Sequence, residues 1–123
     1  MTFPVFALIS DSSAVKALIG SSPVRFWRDF YPKSAGTPQL PYCVWAVVGG
    51  APENYLSETP GIDSGRVQVD VWAQTPASAD AVMAAVRDAI ESSAHMISTP
   101  ISRYDEETDS YGYILEFQFW TSR

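Results

Sequence analysis

The sequence predicts an α+β fold: a mostly antiparallel sheet of about five strands with two helices packed on one face, in the order α-β-β-β-α-β-β. Three observations lead there. The stretch Gly65–Glu91, GRVQVDVWAQTPASADAVMAAVRDAIE, sets a strictly alternating strand directly before an amphipathic helix. Further strand-like runs stand before and after it, so strands follow one another instead of alternating with helices. Helical patterning is confined to this central segment and to residues 3–19.

Taken in order, FPVFALISDSSAVKALI (residues 3–19) reads as helical. Pro4 suits a first helical position, where its missing N–H costs nothing. Val5, Leu8 and Ile9 give an apolar face, and Asp11 is a candidate N-cap for a second piece carrying Ala14, Val15, Leu18 and Ile19. One helix or two short ones both fit, and Gly20 supplies the stop. VRFWRDFY (24–31) alternates and ends at Pro32, as an edge strand would. KSAGTPQLP (33–41) is a loop by composition. YCVWAVVGG (42–50) is a nearly continuous apolar run between a proline and a glycine pair, expected as a buried strand. APENYLSETPGIDS (51–64) is expected as a long connection, at about residues 50–64, with Tyr55, Leu56 and Ile62 as anchors.

In the central strand Val67, Val69, Val71 and Ala73 share one face, and Arg66, Gln68, Asp70 and Trp72 the other. The helix that follows repeats Ala79, Val82, Met83, Val86 and Ile90 at helical spacing. Thr75 is its expected N-cap with Pro76 first in the helix, and Ser78 is the alternative start. The end of the chain reads as a hairpin: STPISRY (98–104), the tip DEETDS (105–110), and an arm from Tyr111 to Thr121. Tyr113, Leu115, Phe117 and Phe119 point to the core, while Ile114, Glu116, Gln118 and Trp120 point away.

One domain spanning residues 1–123 is expected at this length, with a core that needs neither metal nor disulfide. Eight Lys and Arg against fourteen Asp and Glu give a net charge of −6, which argues against electrostatic gripping of nucleic acid. The single cysteine, Cys43, excludes an intrachain disulfide and sits in an apolar run, where an inert buried thiol is expected. No apolar run has membrane-spanning length and no signal-peptide pattern opens the chain, so a reducing cytoplasm is expected. Four Trp, six Tyr and six Phe either fill a bulky β core or line an interface.

No constellation for chemistry emerges. The lone histidine, His95, follows the central helix, where contact with the last carbonyls is the expected role. One His and one distant Cys do not make a zinc site, and no Ser–His–Asp set can be assembled around one base. Gly49 and Gly50 lack the lysine and spacing of a phosphate loop. The acidic run Asp105, Glu106, Glu107 and Asp109 lacks the ligand order and central glycine of an EF-hand, so a solvated hairpin tip is expected. No catalytic residue, cofactor or metal is expected.

Several segments resemble the tail-completion (tail-terminator, tail-to-head joining) family of long-tailed bacteriophages and prophages. The PVFALI helix ending in a glycine is similar to that family's opening, as is a short strand and proline-rich loop leading into LPYCVW (40–45). The strongest likeness lies in residues 49–90, where a small-residue turn and long segment enter the RVQVDV strand and an alanine-rich helix. The closing strand pair with an aromatic, alternating last strand also fits. The resemblance implies a structural, non-enzymatic subunit of a homo-oligomeric ring, commonly a hexamer, that caps the tail tube and provides the head-joining surface. Tail tube protein and head connector protein are the implied partners. DNA would pass through the ring without specific binding, and no membrane is involved. The implied location is the virion tail, after assembly in the bacterial host's cytoplasm. Trp27, Trp45 and Trp120 depart from the family's pattern.

Ring closure needs two different patches on each subunit. The expected interface is the open sheet face, with Trp72, Trp120, Gln68 and Glu116, together with Tyr55 and Leu56 of the 51–64 segment. Asp105, Glu106, Glu107 and Asp109 are expected to contact the tube or the connector. The alternatives from other classes are a small aromatic-lined α+β barrel enzyme of the cofactor-free oxygenase type, with Tyr104, Tyr111 or His95 as its polar group, and a small-molecule-binding dimer.

Overall fold

The computed structural model describes residues 3–21, 24–29, 39–55 and 58–122, with residues 50–55, 58–63, 121 and 122 described by backbone alone. The order is α1 (Val5–Ser10), α2 (Ser13–Ile19), β1 (Phe26–Arg28), β2 (Tyr42–Tyr55), β3 (Glu58–Ala73), α3 (Pro76–Glu91), β4 (His95–Met96), β5 (Ile101–Asp105) and β6 (Ser110–Ser122). The class is α+β, with a six-stranded sheet ordered β1-β2-β3-β6-β4 and β5 also paired to β6. All pairings are antiparallel except β1 with β2.

The strand–helix unit has the alternation its residues dictate. Val67, Val69, Val71 and Ala73 are fully buried on one face of β3. The register Val67↔Phe117 and Val69↔Leu115 continues that face onto β6, whose Leu115, Phe117 and Phe119 are also buried. The stripe Ala79, Val82, Val86 and Ile90 of α3 closes over them, with Met83 partly buried alongside. Each fully buried aliphatic side chain contributes roughly 1.5–3 kcal/mol as an upper figure. The Thr75 hydroxyl accepts from the Ser78 N–H at 3.1 Å, and Pro76 opens the helix. That cap stabilises α3 by about 1 kcal/mol.

The helices α1 and α2 pack on α3, burying Val5, Ile9, Val15 and Ile19. The N-terminal region is thus two short helices, making three among the described residues. Asp11 closes the first, and Ser12, not Asp11, caps the second by accepting from the Val15 N–H at 3.2 Å. Gly20 ends α2 at φ 88°, a conformation that favours glycine.

Four further features depart from the sequence reading. Residues 51–55 and 58–64, expected as a connection, continue β2 and β3 as paired strands of 14 and 16 residues. The edge strand β1 covers only Phe26–Arg28 and runs parallel to β2. The strand β2 is buried on one face only: Cys43 and Trp45 point to the core, while Tyr42, Val44 and Ala46 are half-buried. His95 lies in β4, opposite Gln118, and not on the last carbonyls of α3.

Candidate assembly interface

Among the described residues the three helices lie on the Val67–Val71 side and none covers the other face of the sheet, whose residues are placed by register. Gln68 stands opposite Glu116, and Asp70 opposite Ile114. Trp72 stands between Tyr42 of β2 and Gly112 of β6. Trp120 is opposite Ser64. Gln68 and Glu116 are therefore neighbours, but Trp72 and Trp120 are not. Ser64 is eight residues from Trp72 along β3, which is roughly 26 Å.

The two tryptophans also have different surroundings. Gly112 lets the Trp72 ring lie across β6: a Cβ there would stand 2.9 Å from the ring and would collide with the Val71 carbonyl oxygen. The Arg103 guanidinium stacks on the same ring, 4.2 Å from its centroid, while its Nη2 meets the Asp70 carboxylate at 3.3 Å. Trp72 is thus clamped. Trp120 is 51% exposed, and its ring meets His95 edge-on at 5.6 Å between centroids.

The polar residues between them are tied laterally. Arg66 Nη2 donates to Glu116 Oε2 at 2.9 Å, and Gln68 Nε2 donates to Asp70 Oδ1 at 2.9 Å. Such exposed pairs contribute only about 0.2–1 kcal/mol each to folding. They order the face without holding the fold together.

Apolar residues that the sequence reading passed over complete the edge. Ile97, whose N–H donates to the Glu116 carbonyl, is 43% exposed, and Ile101, opposite Ile114, is 56% exposed. Their alternation was interrupted by Ser98, Thr99 and Pro100, so only the pairing to β6 reveals that they share a face. Between the C-terminal end of α3 and β6 lies a groove of about 270 Å³ lined by Glu91, Ser92, Ser93, Ala94, His95 and Trp120.

Along the strands, the two ends of the sheet differ. At one end the β5–β6 turn carries Asp105, Glu106, Glu107 and Asp109. Asp105 Oδ1 accepts from the Glu107 N–H at 3.0 Å, and the Tyr104 hydroxyl donates to Asp109 Oδ1 at 2.6 Å. That bond favours the neutral phenol and raises the Tyr104 pKa. At the other end is the β2–β3 ribbon. Tyr55 is in its last pair, opposite Glu58, with only its backbone described, and Leu56 lies outside the described residues.

Groups with chemical potential are quiet. Burial, with a smaller contribution from the Asp70 charge, pushes the Cys43 thiol far up, so it stays protonated. The Tyr113 hydroxyl donates to Asp80 Oδ1 of α3, which raises its pKa and ties the helix to β6. Among the described residues no group of three or more His, Cys, Asp or Glu could hold a metal ion, and no helix is long and apolar enough to cross a membrane.

The chain is similar over 97% of its length, and over 92% of the other chain, to a chain from the virion of a native gene transfer agent particle, with a TM-score of 0.69 at 18% identity. At that identity the likeness is one of fold. No curated protein sequence matches the chain. The sequence model of the family described as "Tail completion protein gp17" matches residues 4–122, nearly the whole chain. The chain therefore belongs to this family of bacteriophage tail-completion proteins, structural components of the virion.

Proposed function

We propose that the chain is the repeating subunit of a closed ring, of six copies in the commonest arrangement, which caps the tail tube and offers the surface that joins tail to head. The observation that carries this reading is the open sheet face. A sheet whose core lies wholly on one side, and whose other side is laid out as ion pairs between aromatic residues, has the composition of a protein contact surface. Trp120 meets a neighbouring subunit, a role its exposure supports. Gln68 and Glu116 form the polar part of the contact, and the clamped Trp72 supports it. Tyr55, in the last pair of the β2–β3 ribbon, joins that contact between subunits together with Leu56, and the acidic turn from Asp105 to Asp109, at the other end of strands some 50 Å long, meets the tail tube or the connector. The net charge of −6 keeps DNA from adhering as it passes. The subunit works by contact alone, without catalysis or cofactor, in the tail of the virion after assembly in the host cytoplasm.

The space beneath α3, where a small barrel enzyme would need its cavity, is filled by Val67, Val69, Leu115, Phe117, Val82, Val86 and Ile90. Light scattering across a concentration series, with negative-stain microscopy in the presence of tail tube protein, tests the ring. Discrete closed rings are expected. A strict monomer under every one of these conditions would sink the reading.

A further inference from the structure

The chain's one histidine stands beside the tryptophan that the ring reading puts at the contact. His95 is exposed in β4, and its ring meets the Trp120 ring edge-on at 5.6 Å between centroids. Both residues line the groove of about 270 Å³ at the C-terminal end of α3, together with Glu91. A surface that covers Trp120 therefore covers His95 as well.

Imidazole changes its charge between about pH 5 and 8, so the charge at this spot depends on the medium. Its surroundings suit an imidazolium while water reaches it. From the 16-residue α3 come the Glu91 carboxylate and the last carbonyls, the negative end of the helix dipole. Arg87, one turn before Glu91, donates to Asp88 instead. The turn between α3 and β4 adds only the neutral Ser92, Ser93 and Ala94. From β6 come the neutral Gln118, opposite His95, and two residues along it Glu116, whose carboxylate is engaged by Arg66 at 2.9 Å. The Trp120 ring itself attracts a nearby cation. Covering the groove changes the balance. A cation removed from water is costly unless it is fully paired, whereas a neutral imidazole carries no such penalty. An imidazolium also draws the Trp120 ring towards β4 of its own chain, away from a neighbour.

We propose that His95 is a proton switch on the contact made by Trp120: neutral, it lets the contact form, and protonated, it opposes it. Association then expels a proton from each covered His95 and weakens as the pH falls. This rests on the ring reading and gives its Trp120 contact a regulator. The direction is diagnostic. By net charge alone a chain at −6 repels its copies less as it takes up protons, so association would strengthen on acidification.

The test is association of the full chain across this range, read by light scattering and negative-stain microscopy, with circular dichroism as the check on folding. Wild-type association should weaken about tenfold between about pH 7.5 and 5.5, the full effect of one imidazole proton over that interval. His95→Gln, neutral throughout, should associate as well at the lower pH as at the higher, or better. At concentrations too low for association, the tryptophan emission of the wild type should change over the same range, and the change should vanish in both Trp120→Phe and His95→Gln. Wild-type rings that form equally at both pH values would overturn the switch and leave the ring standing. Equal weakening in the wild type and His95→Gln would overturn it too. Wild-type protein that forms no ring at any pH would remove the reading on which the switch rests.

Discussion

Two side chains show how local chemistry sets the behaviour of the sheet. Gly112 is where Trp72 and Arg103 stack across a strand, so a methyl group there has nowhere to go. Gly112→Ala should destabilise by about 1–3 kcal/mol, read as a lower denaturant midpoint with an unchanged slope. Tyr113 makes a pH prediction. Its bond to Asp80 requires the protonated phenol, so its folded pKa is raised above the ordinary value near 10. The stabilisation is fully present below the unfolded pKa and is lost as pH rises through the folded one. Wild-type stability should fall above about pH 10 more steeply than that of Tyr113→Phe, and thermal melts from pH 7 to 11 will show whether the curves converge. At this scale the sequence was half legible. Alternation told which face Trp72 and Trp120 occupy, because side chains in a strand alternate regardless of what pairs beside them. It could not tell their rows, which depend on the β3–β6 register, and so two residues eight rows apart read as one patch.

Among the elements, α3 is the keystone, and its sequence announced it: cap, first-turn proline and apolar stripe all agree with the structure. Thr75→Ala should cost about 1 kcal/mol and leave a cooperative transition. Val86→Asp places a charge at a position with no exposure, against an apolar cluster, and should cost more than about 4 kcal/mol. Expression yield and a lost or broadened melt check this. Elements were misread where composition and pairing disagree. Residues 51–64 hold two prolines, one glycine and few β-formers, which suggests a loop, yet a two-stranded ribbon needs only backbone partners along an established register. The two-residue strand β4 is too short to leave a periodic signal, and exists because His95 and Met96 meet the edge of β6. Ser12 prevailed over Asp11 as a cap because the chain turns one residue later than the apolar pattern implied.

For the molecule as a whole, the sheet divides its labour cleanly between its two sides. The helix-covered side is apolar and largely buried, and the open side mixes ionic, aromatic and aliphatic residues that are half-buried or exposed, with adjacent residues of one strand serving different ends. That division was readable in advance, since it follows from period-two patterning. The long paired ribbon and the acidic turn at the two ends of the strands were readable only as segments, without their separation. The consequence of alternation reaches into evolution. Every second codon of β3 and β6 is constrained by folding, and most of the codons between them, Gly112 apart, are free to follow whatever the chain must touch. A library that randomises Arg66, Gln68, Glu116 and Gln118 should consist mostly of soluble, cooperatively folding variants. One that randomises Val67, Val69, Leu115 and Phe117 should be nearly empty of them, as a protease-resistance screen would reveal. Descendants of such a chain can change partners quickly and keep their architecture, so relatedness would persist in the interior long after it has faded from the surface.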